Sequence, residues 1–174
     1  MKHSHSSLVI AGILFVLVAG AYAEEVREYH SPDGLFRASV IALHKSSYGS
    51  GESRIELRSA NGSLLFSRSY ASNDGEHGFG VERAAWTPDS KFFVYSLSSS
   101  GGHQSWHFPT DFLASRTLRL RRLDDYVGAI TDREFRIFPP DTVHAVGRRR
   151  TDWKEAAFEV QLSKLVKGKQ RNRK

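Results

Sequence analysis

A four-residue turn signature occurs twice, each time ahead of an apolar run, and it commits the chain to a succession of β-hairpins. Ser31-Pro32-Asp33-Gly34 leads into the apolar stretch 35–43. Thr87-Pro88-Asp89-Ser90 follows Ala84-Ala85-Trp86 and leads into Phe92-Phe93-Val94-Tyr95-Ser96-Leu97. Proline suits the second position of a tight turn because its φ is already set, and Asp and Ser bond their own backbone locally. A turn of this kind followed by a short apolar run reads as entry into a strand.

The rest of the chain shows the same alternation. Residues 36–43 and 54–58 form candidate strands, with a Ser/Gly-rich loop at 46–51 between them. Asn61-Gly62 then separates 54–58 from 64–68, which predicts a hairpin closed by a type I′ turn. A glycine-rich polar loop at 72–80 precedes strands at 81–86 and 91–97. Residues 103–112 are expected to be extended. Residues 117–123 alternate, with leucines on one face and arginines mostly on the other. Residues 124–132 read as a connection with one helical turn, 134–138 as a strand stopped by Pro139-Pro140, and 141–147 as another strand. The stretch 153–158 resembles a helix start, but Phe158, Val160 and Leu162 fall at period two, so 158–163 is assigned as a strand. The sum is roughly nine strands with no long helix after the N-terminal segment, an all-β antiparallel class.

The ends are set apart. Lys2, the apolar run 8–20 and Ala21-Tyr22-Ala23 make a positive start, an apolar core and a small-x-small site, the pattern of a secretory signal peptide cleaved after Ala23. The run is shorter than the roughly 20 residues of a membrane span, and with no cysteine after it no lipid attachment is expected. The expected organisation is a signal peptide at 1–23, one β domain at 24–166 and a basic disordered tail at 167–174. The chain contains no cysteine. Thiol catalysis, zinc–thiolate sites and disulfide staples are therefore excluded, and the core must hold the fold alone. Export without cysteine fits a bacterial periplasmic or secreted domain. The net charge of +6 is concentrated in the tail and in Arg148-Arg149-Arg150. Export argues against a nucleic-acid partner for these charges, which read as a solvated terminus and a basic loop, with weak attraction to anionic envelope material as the alternative.

The segment 86–96, Trp-Thr-Pro-Asp-Ser-Lys followed by Phe-Phe-Val-Tyr-Ser, resembles the repeat of TolB-like β-propellers: an aromatic, Ser-Pro-Asp-Gly, a charged residue and an apolar strand. Ser31-Pro32-Asp33-Gly34 resembles a second copy, with Tyr29-His30 where a tryptophan is usual. The resemblance covers about twenty residues and implies blade-like sheets without implying a chemistry. A closed propeller takes at least about four blades of about 40–45 residues each, more than residues 24–174 supply. Two or three blade-like sheets packed as a partial propeller or sandwich are expected, with ring completion by oligomerisation as an alternative.

The richest candidate site is the loop 101–112, with two glycines, two histidines, a tryptophan and an acid. A ligand-binding set of His77, His103, Trp106, His107 and Asp111 follows, His77 arriving from the other glycine-rich loop and Trp106 serving as a flat stacking platform. Metal chelation by His103 and His107 is disfavoured, because residues four apart on a strand lie about 13 Å from each other. No metal and no cofactor is assigned, and no catalytic residue: there is no Gly-x-Ser-x-Gly elbow, no phosphate loop and no well-placed acid pair. The arginines at 119, 121 and 122 read as charges that keep an exposed sheet edge from pairing. The expected function is a non-enzymatic exported β-domain that binds a protein, peptide or envelope polymer through its loops. The alternatives are an exported hydrolase or carbohydrate-active enzyme around His103, His107 and Asp111, and a periplasmic metal-binding protein.

Overall fold

The computed structural model describes residues 25–44 and 51–167. The expected signal peptide and its cleavage site, most of the 46–51 loop, and the expected tail beyond residue 167 lie outside the described residues. The chain is all-β: among the described residues twelve strands form three four-stranded antiparallel sheets, accompanied by two short helices. The first contains β1 (Val26–His30), β2 (Phe36–His44), β3 (Glu52–Ser59) and β4 (Leu64–Ser69), in chain order. The second contains β5 (Phe79–Trp86), β6 (Phe92–Ser99), β7 (Thr110–Ala114) and β8 (Arg119–Arg122), again in chain order. A helical turn, α1 (Asp124–Val127), leads to the third sheet: β9 (Gly128–Ile130), β10 (Arg136–Phe138), β11 (Thr142–Arg149) and β12 (Glu155–Gln161). There β9 and β10 pair with successive parts of β11, whose other edge is taken by β12. Helix α2 (Leu162–Lys167) ends the described chain.

The sheets stack face to face in sequence order, and the side-chain period of two dictates how. On β6, Phe93, Tyr95 and Leu97 point into a core shared with Ala38, Val40, Ile55 and Leu57 of the first sheet. Their neighbours Phe92 and Val94 point the other way, into a core with Ile130, Val143 and Ala145 of the third sheet. Strand β7 divides likewise, Leu113 to the first core and Phe112 and Ala114 to the second. The continuous apolar run of β6 is thus that of a strand covered on both faces, where alternation disappears.

The two Pro-Asp turns are structural copies. Ser31 N donates to Phe36 O and Gly34 N to Ser31 O, both at 2.9 Å. Ser31 Oγ donates to Asp33 Oδ1 at 2.6 Å and accepts from Phe36 N at 2.9 Å. Thr87, Asp89, Ser90 and Phe92 repeat each of these four bonds. The last turn residue has positive φ in both, 70° at Gly34 and 60° at Ser90. The copies also touch: Asp33 N donates to Ser90 Oγ at 2.9 Å, and Trp86 Nε1 donates to Tyr29 O at 2.9 Å. In the third sheet Pro140-Asp141 occupies the corresponding β10–β11 turn, a third Pro-Asp hidden in the sequence by a different, shorter loop.

Several sequence expectations change, among them the connection 124–132, which holds the strand β9 as well as the helical turn α1. Residues 101–106 are turns, and of the 103–112 segment only the last three residues are strand, the start of Thr110–Ala114, because Gly101-Gly102 and Pro109 break the extension. The C-terminal strand is Glu155–Gln161 and gives way to α2 at Leu162, where Asp141 caps it: Asp141 O accepts from Leu162 N and its carboxylate from Ser163 N. Lys167, assigned to the tail, belongs to that helix. The Asn61-Gly62 hairpin forms, but not as type I′. Only Gly62 has positive φ (89°), Gly62 N bonds Ser59 O, and the register shifts beside Arg58, a type I turn followed by a bulge. The Asn61 side chain accepts from Ser63 N at 3.2 Å, holding that geometry.

Candidate functional site

The β6–β7 loop is clamped at both ends and free in the middle. Ser100 is buried, its amide donating to Gly78 O and its hydroxyl to Glu52. At the other end Phe108 N donates to Ile130 O at 2.8 Å, and Leu97 N to Pro109 O at 2.8 Å. Between these anchors residues 102–106 are exposed. The five candidate residues separate into three places.

His77 and His103 come together as expected. Their rings stack with centroids 5.2 Å apart and planes 13° from parallel. His77 Nδ1 also meets Asp74 Oδ2. The Asp74 carboxyl is held well below the usual range by the Glu76 amide, the Ser72 hydroxyl and His77. Among the described residues no three His, Asp or Glu side chains converge as metal ligands would.

His107 is directed elsewhere. Its Nε2 meets Asp124 Oδ1 at 2.7 Å, and Asp124 also accepts from Thr110 N at 2.9 Å and Ile130 N at 3.2 Å. Asp124 opens α1, so this carboxylate fastens the loop to the joint between the second and third sheets. Trp106 lies against the His107 ring, centroids 5.4 Å apart at 23°. Trp153, from the β11–β12 turn, meets Trp106 edge-on at 6.1 Å and 73°. The Arg148 guanidinium lies 5.4 Å from the Trp106 ring and 5.9 Å from that of Trp153. Both indoles are open to solvent, at 44% and 53% exposure. Trp153 sits at φ 59°, a conformation costly for a bulky residue. The turn is held there by Trp153 N to Arg149 O at 3.0 Å and by the two-pronged Arg149–Asp152 pair at 2.8 and 3.1 Å. The backbone is strained in the direction that presents an indole.

Asp111 lies on the far side of β7. It is 3% exposed and accepts from Tyr70 Oη at 2.7 Å and from Arg122 Nε at 2.8 Å; Tyr70 Oη also bonds Tyr95 Oη at 2.8 Å. Burial, then the Tyr95 charge and Asp111, push the Tyr70 phenol above its ordinary range; burial and the Asp111 charge push up Tyr95, against a hydrogen bond from Tyr70 that lowers it.

Sequence reasoning missed Trp153, Arg148 and Asp124. The signal for Trp153 was present: Thr151-Asp152 separates two alternating runs, 142–149 and 155–161, as a hairpin turn does. No protein family matches this chain, and neither a curated protein nor a solved structure matches it. Among the described residues no helix is long and apolar enough to cross a membrane.

Proposed function

We propose that this chain is an exported binding domain, without catalytic activity of its own, that takes a protein or peptide partner on the Trp106–Trp153–Arg148 surface. One observation carries the reading: two exposed indoles from different sheets are locked edge-to-face with a guanidinium over both. Tryptophan and arginine dominate the energetic centres of interfaces, and a rigid aromatic anchor loses little entropy on binding. The surrounding residues, Gly101, Gly102, His103, Gln104 and Ser105, supply small and polar groups of the kind that adaptable recognition loops use. The periplasm or the exterior is the proposed location, from the sequence of residues 1–23. A kinship with TolB-like propeller repeats is supported by two stacked four-stranded meanders with matching Pro-Asp turns before their second strands, and by a further Pro-Asp at the β10–β11 turn of the third sheet.

The test is a pull-down from envelope extract, with affinities then measured on the captured partner. Trp106→Ala and Trp153→Ala are each expected to cost about 2 kcal/mol or more of binding, with an unchanged circular dichroism spectrum. A partner retained at full affinity by the double variant refutes this surface.

A further inference from the structure

A second polar site, whose lining includes neither Trp106 nor Trp153, lies along β8, the edge strand of the second sheet. It is an open cleft of about 770 Å³ whose lining includes Arg68 of β4 and Arg119, Arg121 and Arg122 of β8. Two acids also line it, Asp111 and Asp125. Asp111 is occupied by Arg122 at 2.8 and 3.3 Å. Arg121 donates to a neutral partner, Tyr126 Oη, at 2.6 Å, and Arg68 lies 5.7 Å from the Tyr70 ring. Among the described residues none of Arg68, Arg119 and Arg121 has a carboxylate within ion-pair distance. The concave surface therefore carries positive charge in excess.

Protection of a sheet edge explains exposed arginines but not what stands behind them. Arg122 is fixed by buried Asp111, Asp111 by Tyr70, and Tyr70 by Tyr95. An edge strand needs no such support to repel other chains. A recognition site does, because a guanidinium held in place loses less entropy when it binds. Planar guanidinium forks match phosphate oxygens, and alternate amides of an edge strand face outward as further donors. One carboxylate would neutralise too little of this charge. A cleft of this size takes a ligand with room for two anionic groups.

We propose that this cleft binds a diphosphate group, either on a free small molecule or at the head of a lipid. Isothermal titration with pyrophosphate and flotation with vesicles bearing a diphosphate-headed lipid separate the two sources. The expected result is saturable one-to-one binding of pyrophosphate, tighter than that of sulfate at equal ionic strength and weakened by salt. Binding of the lipid vesicles alone assigns the site to a head group and also supports the proposal. Arg119→Gln combined with Arg121→Gln is expected to weaken binding at least tenfold. These side chains are at the surface, and an unchanged thermal unfolding curve verifies the fold. The Trp106→Ala/Trp153→Ala variant should bind pyrophosphate normally, so this proposal and the partner surface stand or fall separately. No binding to either probe, or equal binding by the double arginine variant, overturns it.

Discussion

Glu52 gives the sharpest test of how the fold is held together. It opens β3, is fully buried (0% exposed) and forms no ion pair among the described residues. Its carboxylate instead accepts from Ser72 N at 3.0 Å, Ser72 Oγ, Gly78 N at 2.9 Å and Ser100 Oγ at 3.3 Å. Three segments meet on one side chain: β3, the crossing between the first two sheets, and the start of the β6–β7 loop. Glu52→Ala strands two amides, each worth about 1–3 kcal/mol when left unbonded. The expected loss is about 4 kcal/mol, a large part of the roughly 5–15 kcal/mol that holds a domain together. Glu52→Gln keeps one acceptor oxygen and should lose about 2 kcal/mol. The pH dependence has a definite sign. Burial alone would raise this carboxyl, but the bonds from Ser72, Gly78 and Ser100 outweigh it and hold it below its ordinary 4.5. A group depressed in the folded state contributes stability above its unfolded pKa and loses it as pH falls through the folded value. The gap between wild type and Glu52→Gln should thus be constant near neutrality and shrink below pH 4.5. Urea unfolding at pH 7, 5 and 3.5, followed by both tryptophan fluorescence and circular dichroism, measures it. A loss under about 1 kcal/mol for Glu52→Ala at pH 7, or a gap that does not narrow in acid, refutes the reasoning.

Three further expectations follow from the same geometry. Ser90→Gly relieves a left-handed residue worth about 1 kcal/mol but removes the acceptor for Asp33 N, worth a similar amount, so urea midpoints should move by less than about 1 kcal/mol; a loss above about 2 kcal/mol would show that the turn-to-turn bond matters more than its strain. Tyr70 and Tyr95 are raised in the folded state, so their contribution is complete below pH 10 and is lost as pH climbs beyond it. A phenolate absorbance titration should accordingly show two tyrosines that ionise only with unfolding, and smooth titration of all of them contradicts this. Trp153→Gly should keep or raise stability, by up to about 1 kcal/mol, while abolishing partner binding; a calorimetric melt and the pull-down together read both halves.

Strand content was legible because period two and turn chemistry are local. The strand at 91–97 was read from its own residues, and the two Pro-Asp turns were found from four letters each. What escaped depends on distant partners. Glu52 looks like any charged residue beside a polar loop, since Ser72, Gly78 and Ser100 identify its role only after the sheets stack. Asp111 and His107 are four residues apart and were grouped as one site. The chain bends at Pro109, so they point to opposite sides, one to Tyr70 and Arg122, the other to Asp124. Trp153 falls in a stretch, 153–158, that resembles a helix start, since Lys154-Glu155-Ala156-Ala157 has high helix propensity; pairing with β11 overrides that preference from Glu155 onward.

The two-sided burial of β6 makes the molecule a one-dimensional array of three units with two interface terms. The end units each feel one neighbour, whereas the middle unit feels both. Damage to the first or third sheet can therefore fray one end and leave the remaining pair standing. Damage at Phe93 or Val94 propagates through the shared strand to both interfaces at once. Cooperative unfolding of the three sheets thus depends on the two strands that face both cores, β6 and its neighbour β7.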